Sequence, residues 1–489
     1  MREELLINVT PREVRAALLE NGVLQEVFIE RASRRGIVGN VYQGRVSRVL
    51  PGMQAAFIDI GRERTAFLHA SDIARPTLDE ERVDPPAPPN ISELVQEGGQ
   101  IIVQVLKDPL GTKGARLTTH ITLPSRYLVF MPKGNGVGVS TRIDDEDERT
   151  RLRTLAETFA SDDMTGGYIV RTAAETVGAE ALRADMLYLH KLWQVVTEAA
   201  HRARPGEMVF EDLPLEARVV RDLLGADMER IRVDDEESFG RLRKFAEIFT
   251  PEFAPMIEHY TANRPIFDVY SIDDELQRAL ERRVPLKSGG SLIFDQTEAM
   301  TTIDVNTGAY VGHRNLEETI FRTNLEAAQA IARQLRLRNL GGIVIIDFID
   351  MTSSEHRSQV LQALEKNLLT DNARTQISDV STLGLVEMTR KRTRESLEHV
   401  LCQPCPTCEG RASVKTAETV CYEIYREVLR QSRQFDCKEM MVVAHQDVIE
   451  LLVDEESDLV AELETITGNP IRLQTETSYS PEQHDVVLM

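Results

Sequence analysis

The chain of 489 residues carries 57 Lys and Arg against 79 Asp and Glu, a formal charge of −22, with 42% hydrophobic and 28% charged residues. That is an ordinary globular balance over a length of about three domains; no apolar run reaches the ~18 residues of a membrane span, and the N-terminus lacks the apolar stretch of a secretion signal. Five cysteines, three of them within 402–408, argue against a disulfide framework and for a reducing, cytoplasmic setting.

Apolar runs at 5–9, 14–19 and 27–29, with Asn21-Gly22 before the last, predict strands joined by turns. From 36 to 69 short runs are broken by Gly and Pro, which predicts a small barrel. The strand 101–106 and the turn 111–114 complete it, and the proline-rich stretch 74–92 is a loop inside it. Residues 120–214 mix strands at 127–131 and 167–171 with helices over 148–160 and 174–200, and 215–283 reads as helix-rich. Compact apolar strands follow at 291–294, 299–305 and 342–348. Between the last two lies a helix with Asn315 as N-cap and Glu318 three residues on. Leu316, Ile320, Ala327, Ile331 and Leu335 form its apolar stripe, and Gly341 follows its end. Strand–helix–strand at this spacing implies parallel, neighbouring strands. Residues 415–489 read as a small α+β module.

Charge is uneven along the chain. From Arg31 to Arg64 seven Arg oppose only Asp59 and Glu63, a local +5, whereas 446–489 holds eleven acids and one base, Arg472. Screening over roughly 8 Å lets the local excess outweigh the distant total, so −22 does not exclude a polyanionic partner.

Three groups could carry chemistry. Asp304 and Asp347 each sit inside an apolar strand, where a lone carboxylate is costly unless paired or bound to a cation. On adjacent strands they converge at one end of the sheet. With Asn306 nearby they suit Mg²⁺, and hence metal-assisted phosphodiester hydrolysis; caps on strand-end turns are the alternative. Cys405 and Cys408 form a CxxC knuckle. Tetrahedral zinc wants four ligands, so either His399, Cys402, Cys421 or Cys437 contributes or two chains each give the pair. A redox motif belongs on the strand–helix turn of a small βαβ domain, which this segment does not resemble. In the barrel, Phe57 and Phe67 flank the Arg-rich loop and Lys113 lies in a Gly turn. Such a surface stacks bases beside a cationic groove, unless both Phe are core.

The strings RRGIVGNVYQGRVSRVLPGMQAAFIDIG, AMTTIDVNTG, ARQLRLRNLGGIVIIDFIDM and CPTC resemble the ribonuclease E/G family. HASDI, DPLGTKGARLTT, ITLPSRYLVFMP, GLVEMTRKRTRES and AETVCYEI extend the resemblance over essentially the whole chain. It implies an α/β and α+β multidomain protein. An RNase H-like fold (1–37 and 215–280) would be interrupted by an S1 (OB-fold) barrel (38–119) and a 5′-sensor (120–214). A DNase I-like catalytic subdomain (281–400), a zinc link (401–414) and a small dimerisation domain (415–489) would follow.

The implied activity is endonucleolytic cleavage of single-stranded RNA, with preference for a 5′-monophosphate, in ribosomal RNA processing and messenger turnover. Asp304 and Asp347 match the family's magnesium ligands and Asn306 its catalytic-site asparagine. Phe57, Phe67 and Lys113 match RNA contacts of the S1 domain, and Arg374 a basic residue near the active site. Arg171 and Thr172 match the 5′-phosphate ligands and Val129 a contact beside them. Ser125 stands where one branch of the family has a glycine, which puts the shape of that pocket in question. Cys405 and Cys408 match a zinc site shared by two chains of a homodimer, with dimers able to pair further. A non-catalytic S1-type RNA-binding factor, and a metal-dependent nuclease or phosphatase acting on DNA or small phosphates, are the rival readings.

Overall fold

The computed structural model describes residues 2–74, 90–109, 114–160, 166–225, 227–308 and 316–489. It contains two compact units, Met1–Leu397 and Glu398–Met489.

The first unit begins with an antiparallel meander of β1 (Glu3–Val9), β2 (Glu13–Glu20) and β3 (Val23–Arg31). Only Asn21 (φ 50°) and Gly22 (φ 77°) join β2 to β3, a left-handed pair whose twist matches a tight hairpin. The chain then builds a barrel from β4 (Val41–Leu50), β5 (Ala55–Asp59), β6 (Ala66–His69), β7 (Gln100–Lys107) and β8 (Arg116–Thr118). The ladder runs β4-β5-β6-β8-β7 and returns to β4, so it closes. Alternation turns Ala56, Ile58, Ala66 and Leu68 inward. Gly44 is needed because a Cβ there would meet the Ile58 side chain at 2.5 Å.

A mixed sheet follows, with β9 (Leu123–Pro124), β10 (Leu128–Met131), β11 (Val137–Val139) and β12 (Gly167–Val170) in the order β11-β12-β10-β9. The helices Glu146–Ala160 and Ala179–Arg202 cover it through Leu152, Ala156, Leu182, Met186 and Leu189. β13 (Met208–Phe210) reaches back to β4.

Residues 215–283 are less purely helical than the sequence suggests. β14 (Met228–Val233) and β15 (Ile257–His259) lie there, and β14 pairs parallel with β1. The sheet order is β15-β14-β1-β2-β3, so the first and fourth parts of the unit share one sheet. In β14 the exposed Glu229 and Arg230 interrupt the buried Met228, Ile231 and Val233, which hides the strand pattern.

The last sheet of this unit joins β16 (Arg283–Pro285), β17 (Ser291–Gln296), β18 (Met300–Asn306), β19 (Gly342–Asp347), β20 (Thr375–Val380) and β21 (Leu385–Arg390). Its order is β16-β17-β18-β19-β21-β20. β18 and β19 are parallel neighbours connected by the helix Leu316–Leu337, as the spacing predicts. The expected cap, Asn315, lies outside the described residues. At the other end Asn339, not Gly341, takes the left-handed turn (φ 48°). Gly341 and Gly342 instead make room for Arg392, whose atoms would stand 2.9 and 3.0 Å from an added Cβ. The helices Leu316–Leu337 and Ser354–Leu368 cover one face of the sheet. On the other, Asp304, Asn306, Ile343, Asp347, Glu387 and Thr389 remain exposed. Buried Arg336 ties the first of these helices to the first sheet through Glu20 (2.8 Å) and Glu26 (3.1 Å).

In the second unit the helices Ala417–Gln434, Gln446–Val453 and Ser457–Thr467 pack with β22 (Met440–Ala444), β23 (Ile471–Thr475) and β24 (His484–Leu488). β22 pairs parallel with β23 and antiparallel with β24. Among the described residues no helix is long and apolar enough to cross a membrane.

Candidate active site and nucleic-acid interface

The parallel register sets Asp304 directly beside Asp347. Ile303, Val305, Val344 and Ile346 are buried under the helices, so the period of two forces both carboxylates onto the open face. Asn306 follows on that face, and its Nδ2 donates to Asp304 Oδ2 at 2.7 Å. Burial, then Asp304, then Asp350, push the Asp347 carboxyl above the usual range. Among the described residues none of these three acids has an ion-pair partner. Nor does any group of three or more His, Cys, Asp and Glu form a ready metal cage there. Two carboxylates suffice for Mg²⁺, which completes its shell with water and phosphate oxygens. The donor set therefore fits that ion.

The loop after Asp347 is held from below. Asn324, fully buried on the helix Leu316–Leu337, donates from Nδ2 to Ile349 O (2.8 Å) and accepts from Ile349 N–H (3.1 Å). The sequence held a signal for it: Asn324 falls on the apolar stripe between Ile320 and Ala327, where a polar residue needs a partner.

Around Arg171 several polar groups are joined in a network. Its Nη1 donates to Ser125 O (2.5 Å) and its Nη2 to Asp222 Oδ1 (2.7 Å). Ser125 is buried, and its hydroxyl donates to Asp185, which also accepts from Tyr127 N–H at 3.1 Å. The Ser125 hydroxyl is thus engaged with Asp185, while the Ser125 carbonyl holds Arg171. Thr172 follows Arg171 and opens the turn Thr172–Ala174. Val129 lies on β10, opposite Ile169 and Pro124.

Phe57 and Phe67 are not core residues. They face each other across β5 and β6 on the barrel exterior, with ring centroids 6.3 Å apart, and His69 lies 6.4 Å from Phe67. Lys113 lies outside the described residues. Arg374 does not adjoin the acidic pair in this chain. Its carbonyl accepts from Lys391 N–H (2.9 Å), and Arg390 pairs with Gly342 at the opposite end of β19 from Asp347. Five residues of strand make that separation roughly 17 Å. There Arg374, Lys391 and Arg392 line a groove of about 610 Å³ with Ile343, Gln376 and Thr389.

In the second unit Cys405 is exposed and Cys408 partly so. Hydrogen bonds from the Cys408 and Thr407 amides hold the Cys405 thiol below its ordinary range, as suits a metal ligand. Cys421 is buried, and burial pushes it up to about 11, which leaves it unreactive. A small βαβ unit does exist here, contrary to the sequence reading. The CxxC nevertheless precedes the helix Ala417–Gln434 and is not on the turn between β22 and its following helix.

A barrel with paired exterior aromatics and an acidic pair at one end of an open sheet face define a nucleic-acid-processing protein. The sequence matches the S1 RNA binding domain over 37–119, the Ribonuclease E/G family over 122–393 and the RNase E/G thioredoxin-like domain over 404–488. It is 56% identical to ribonuclease G of Escherichia coli K12 over 491 aligned positions, covering 100% of both chains. It is 55% identical to ribonuclease G of Haemophilus influenzae over 99% of both. Ribonuclease E of Escherichia coli K12 is 36% identical over 95% of this chain, but only 44% of that longer protein is covered. The chain belongs to the ribonuclease E/G family and is an endoribonuclease.

Proposed function

We propose that the chain is a Mg²⁺-dependent endoribonuclease that cuts single-stranded RNA, prefers a 5′-monophosphorylated end and leaves a 5′-phosphate and a 3′-hydroxyl. The observation that carries this reading is the side-by-side register of Asp304 and Asp347 on an open face. These two residues would hold the ion, which when bound supplies positive charge to a phosphodiester undergoing hydrolysis. Asn306 orients the Asp304 carboxylate by donating to Oδ2. Asn324 holds the backbone of Ile349 just beyond Asp347.

Phe57 and Phe67 offer faces on which unpaired bases stack, with Lys113 beside them. Arg171 and Thr172 receive the 5′-phosphate next to Val129, and Arg374 contacts RNA away from the acids. Cys405 and Cys408 from two chains together give zinc its four thiolates and clasp a homodimer. The setting is cytoplasmic, and the substrates are ribosomal RNA precursors and messenger RNA.

The test uses 5′-monophosphorylated RNA, the same RNA with a 5′-hydroxyl, and matched single-stranded DNA, each with and without Mg²⁺. RNA should be cut only with Mg²⁺, and faster with the monophosphate. Equal cutting of DNA, or cutting in excess chelator, would overturn the reading.

A further inference from the structure

Arg171 is held from two sides. Ser125 O accepts from Nη1 and Asp222 Oδ1 from Nη2, at 2.5 and 2.7 Å. A guanidinium has five N–H donors, and only these two have acceptors among the described residues. The others stay available, and the Arg171 and Asp222 side chains keep 27% and 30% of their surface exposed, so a ligand can reach them.

Asp222 is itself fixed. Arg221 grips it with Nε on Oδ1 (3.1 Å) and Nη2 on Oδ2 (2.8 Å), and Arg221 Nη1 lies 3.5 Å from Asp212. Burial would raise the Asp222 carboxyl, but Arg221 and then Arg171 hold it below the usual range, so it is a carboxylate at neutral pH. The row Asp212, Arg221, Asp222, Arg171 alternates in sign and ends at the guanidinium. Both anchors lie on rigid parts: Ser125 follows β9, and Asp222 is in the helix Leu215–Leu223, which packs on β2.

We propose that Asp222 is the positioning residue that sets the Arg171 fork for a terminal phosphate, and that it thereby fixes the preference for a 5′-monophosphate over a 5′-hydroxyl. The inference rests on the reading of Arg171 as the 5′-phosphate contact. Without Asp222 the fork keeps one anchor, and its free N–H groups no longer share a fixed direction. Bidentate recognition of phosphate depends on that direction.

The experiment measures kcat/KM on 5′-monophosphate and 5′-hydroxyl RNA of one sequence for wild type, Arg171→Ala, Asp222→Ala, Asp222→Glu and Asp222→Asn. Asp222→Ala should lower the monophosphate-to-hydroxyl ratio about tenfold, the loss of one charge-assisted hydrogen bond. Asp222→Glu keeps the charge but moves the carboxylate by one methylene, and should lower the ratio too. Should Asp222→Ala fail to fold, seen as lost cleavage of 5′-hydroxyl RNA, Asp222→Glu decides. Asp222→Asn, whose carbonyl still accepts from Nη2, should keep most of the ratio. A wild-type ratio in both Asp222→Ala and Asp222→Glu overturns the inference while Arg171→Ala still lowers it. An unchanged ratio in Arg171→Ala overturns the underlying reading instead.

Discussion

Carboxylates occur in two settings in the first unit, and they are handled in opposite ways. At the end of β18 and β19, Asp304 and Asp347 stand side by side with one amide donor and no ion-pair partner among the described residues. Around Arg171, Asp212, Asp222 and Asp185 each meet an arginine, a hydroxyl or an amide. Burial, and after it the repulsion of like charges left adjacent, raise a carboxyl's pKa, as at Asp347. The proposed cation, when bound, would relieve that repulsion. A saturated network has its charge balanced in advance and serves to hold one donor still. Unbalanced charge suits a site for a ligand ion, and balanced charge suits a donor held in place in advance.

The sharpest break of this contrast is Asp304→Asn. It removes half of the anionic ligands of the proposed Mg²⁺ site and should cost roughly 10³-fold in cleavage, the scale of losing a preorganised electrostatic contact. RNA affinity in a filter-binding assay should stay within about threefold. Retained cleavage would place the metal elsewhere. Next comes the thiol pair of the proposed two-chain zinc site. Cys405→Ala with Cys408→Ala should abolish bound zinc by elemental analysis and shift the oligomer toward monomer in sedimentation. A zinc-free protein that remains a stable dimer would reject the shared site.

A smaller effect belongs to the barrel. Phe57→Ala should weaken single-stranded RNA binding by about 1–3 kcal/mol, one stacked base, with kcat at saturating RNA nearly unchanged. The smallest tests the balanced region itself. Burial above all raises the Asp185 carboxyl in the folded protein. The folded state then holds its proton longer than the unfolded one, and stability falls as pH rises from the unfolded carboxylate range through the raised native value. Melting curves of wild type should show this decline relative to Asp185→Asn; parallel pH profiles would count against it.

Much of the acidic end of the last sheet is legible in the sequence because its signals are local. Asp304 and Asp347 interrupt apolar strands, and strand–helix–strand spacing makes those strands neighbours. The CxxC is contiguous. The parts that were not legible depend on distant partners. Nothing near Ser125 announces that its carbonyl will hold Arg171, or that Asp222 will complete the grip from another element. β14 escaped notice because its place is set by pairing with β1, over two hundred residues earlier, and its own alternation is broken by Glu229 and Arg230. The family resemblance places Arg374 near the acids, whereas the antiparallel β20–β21 pair carries it to the far end of β19.

The shared first sheet also constrains how the protein is made. β1 lies in the middle of that sheet with Leu5, Leu6 and Ile7 fully buried, yet its parallel neighbour β14 begins only at Met228. On the ribosome the first hairpin emerges with one side of β1 unpaired, and it waits roughly 10–40 s at common elongation rates before β14 exists. The barrel strands β4 to β8 appear meanwhile and can close among themselves. The exposed edge of β1 is therefore a hazard of synthesis, one the finished molecule no longer displays.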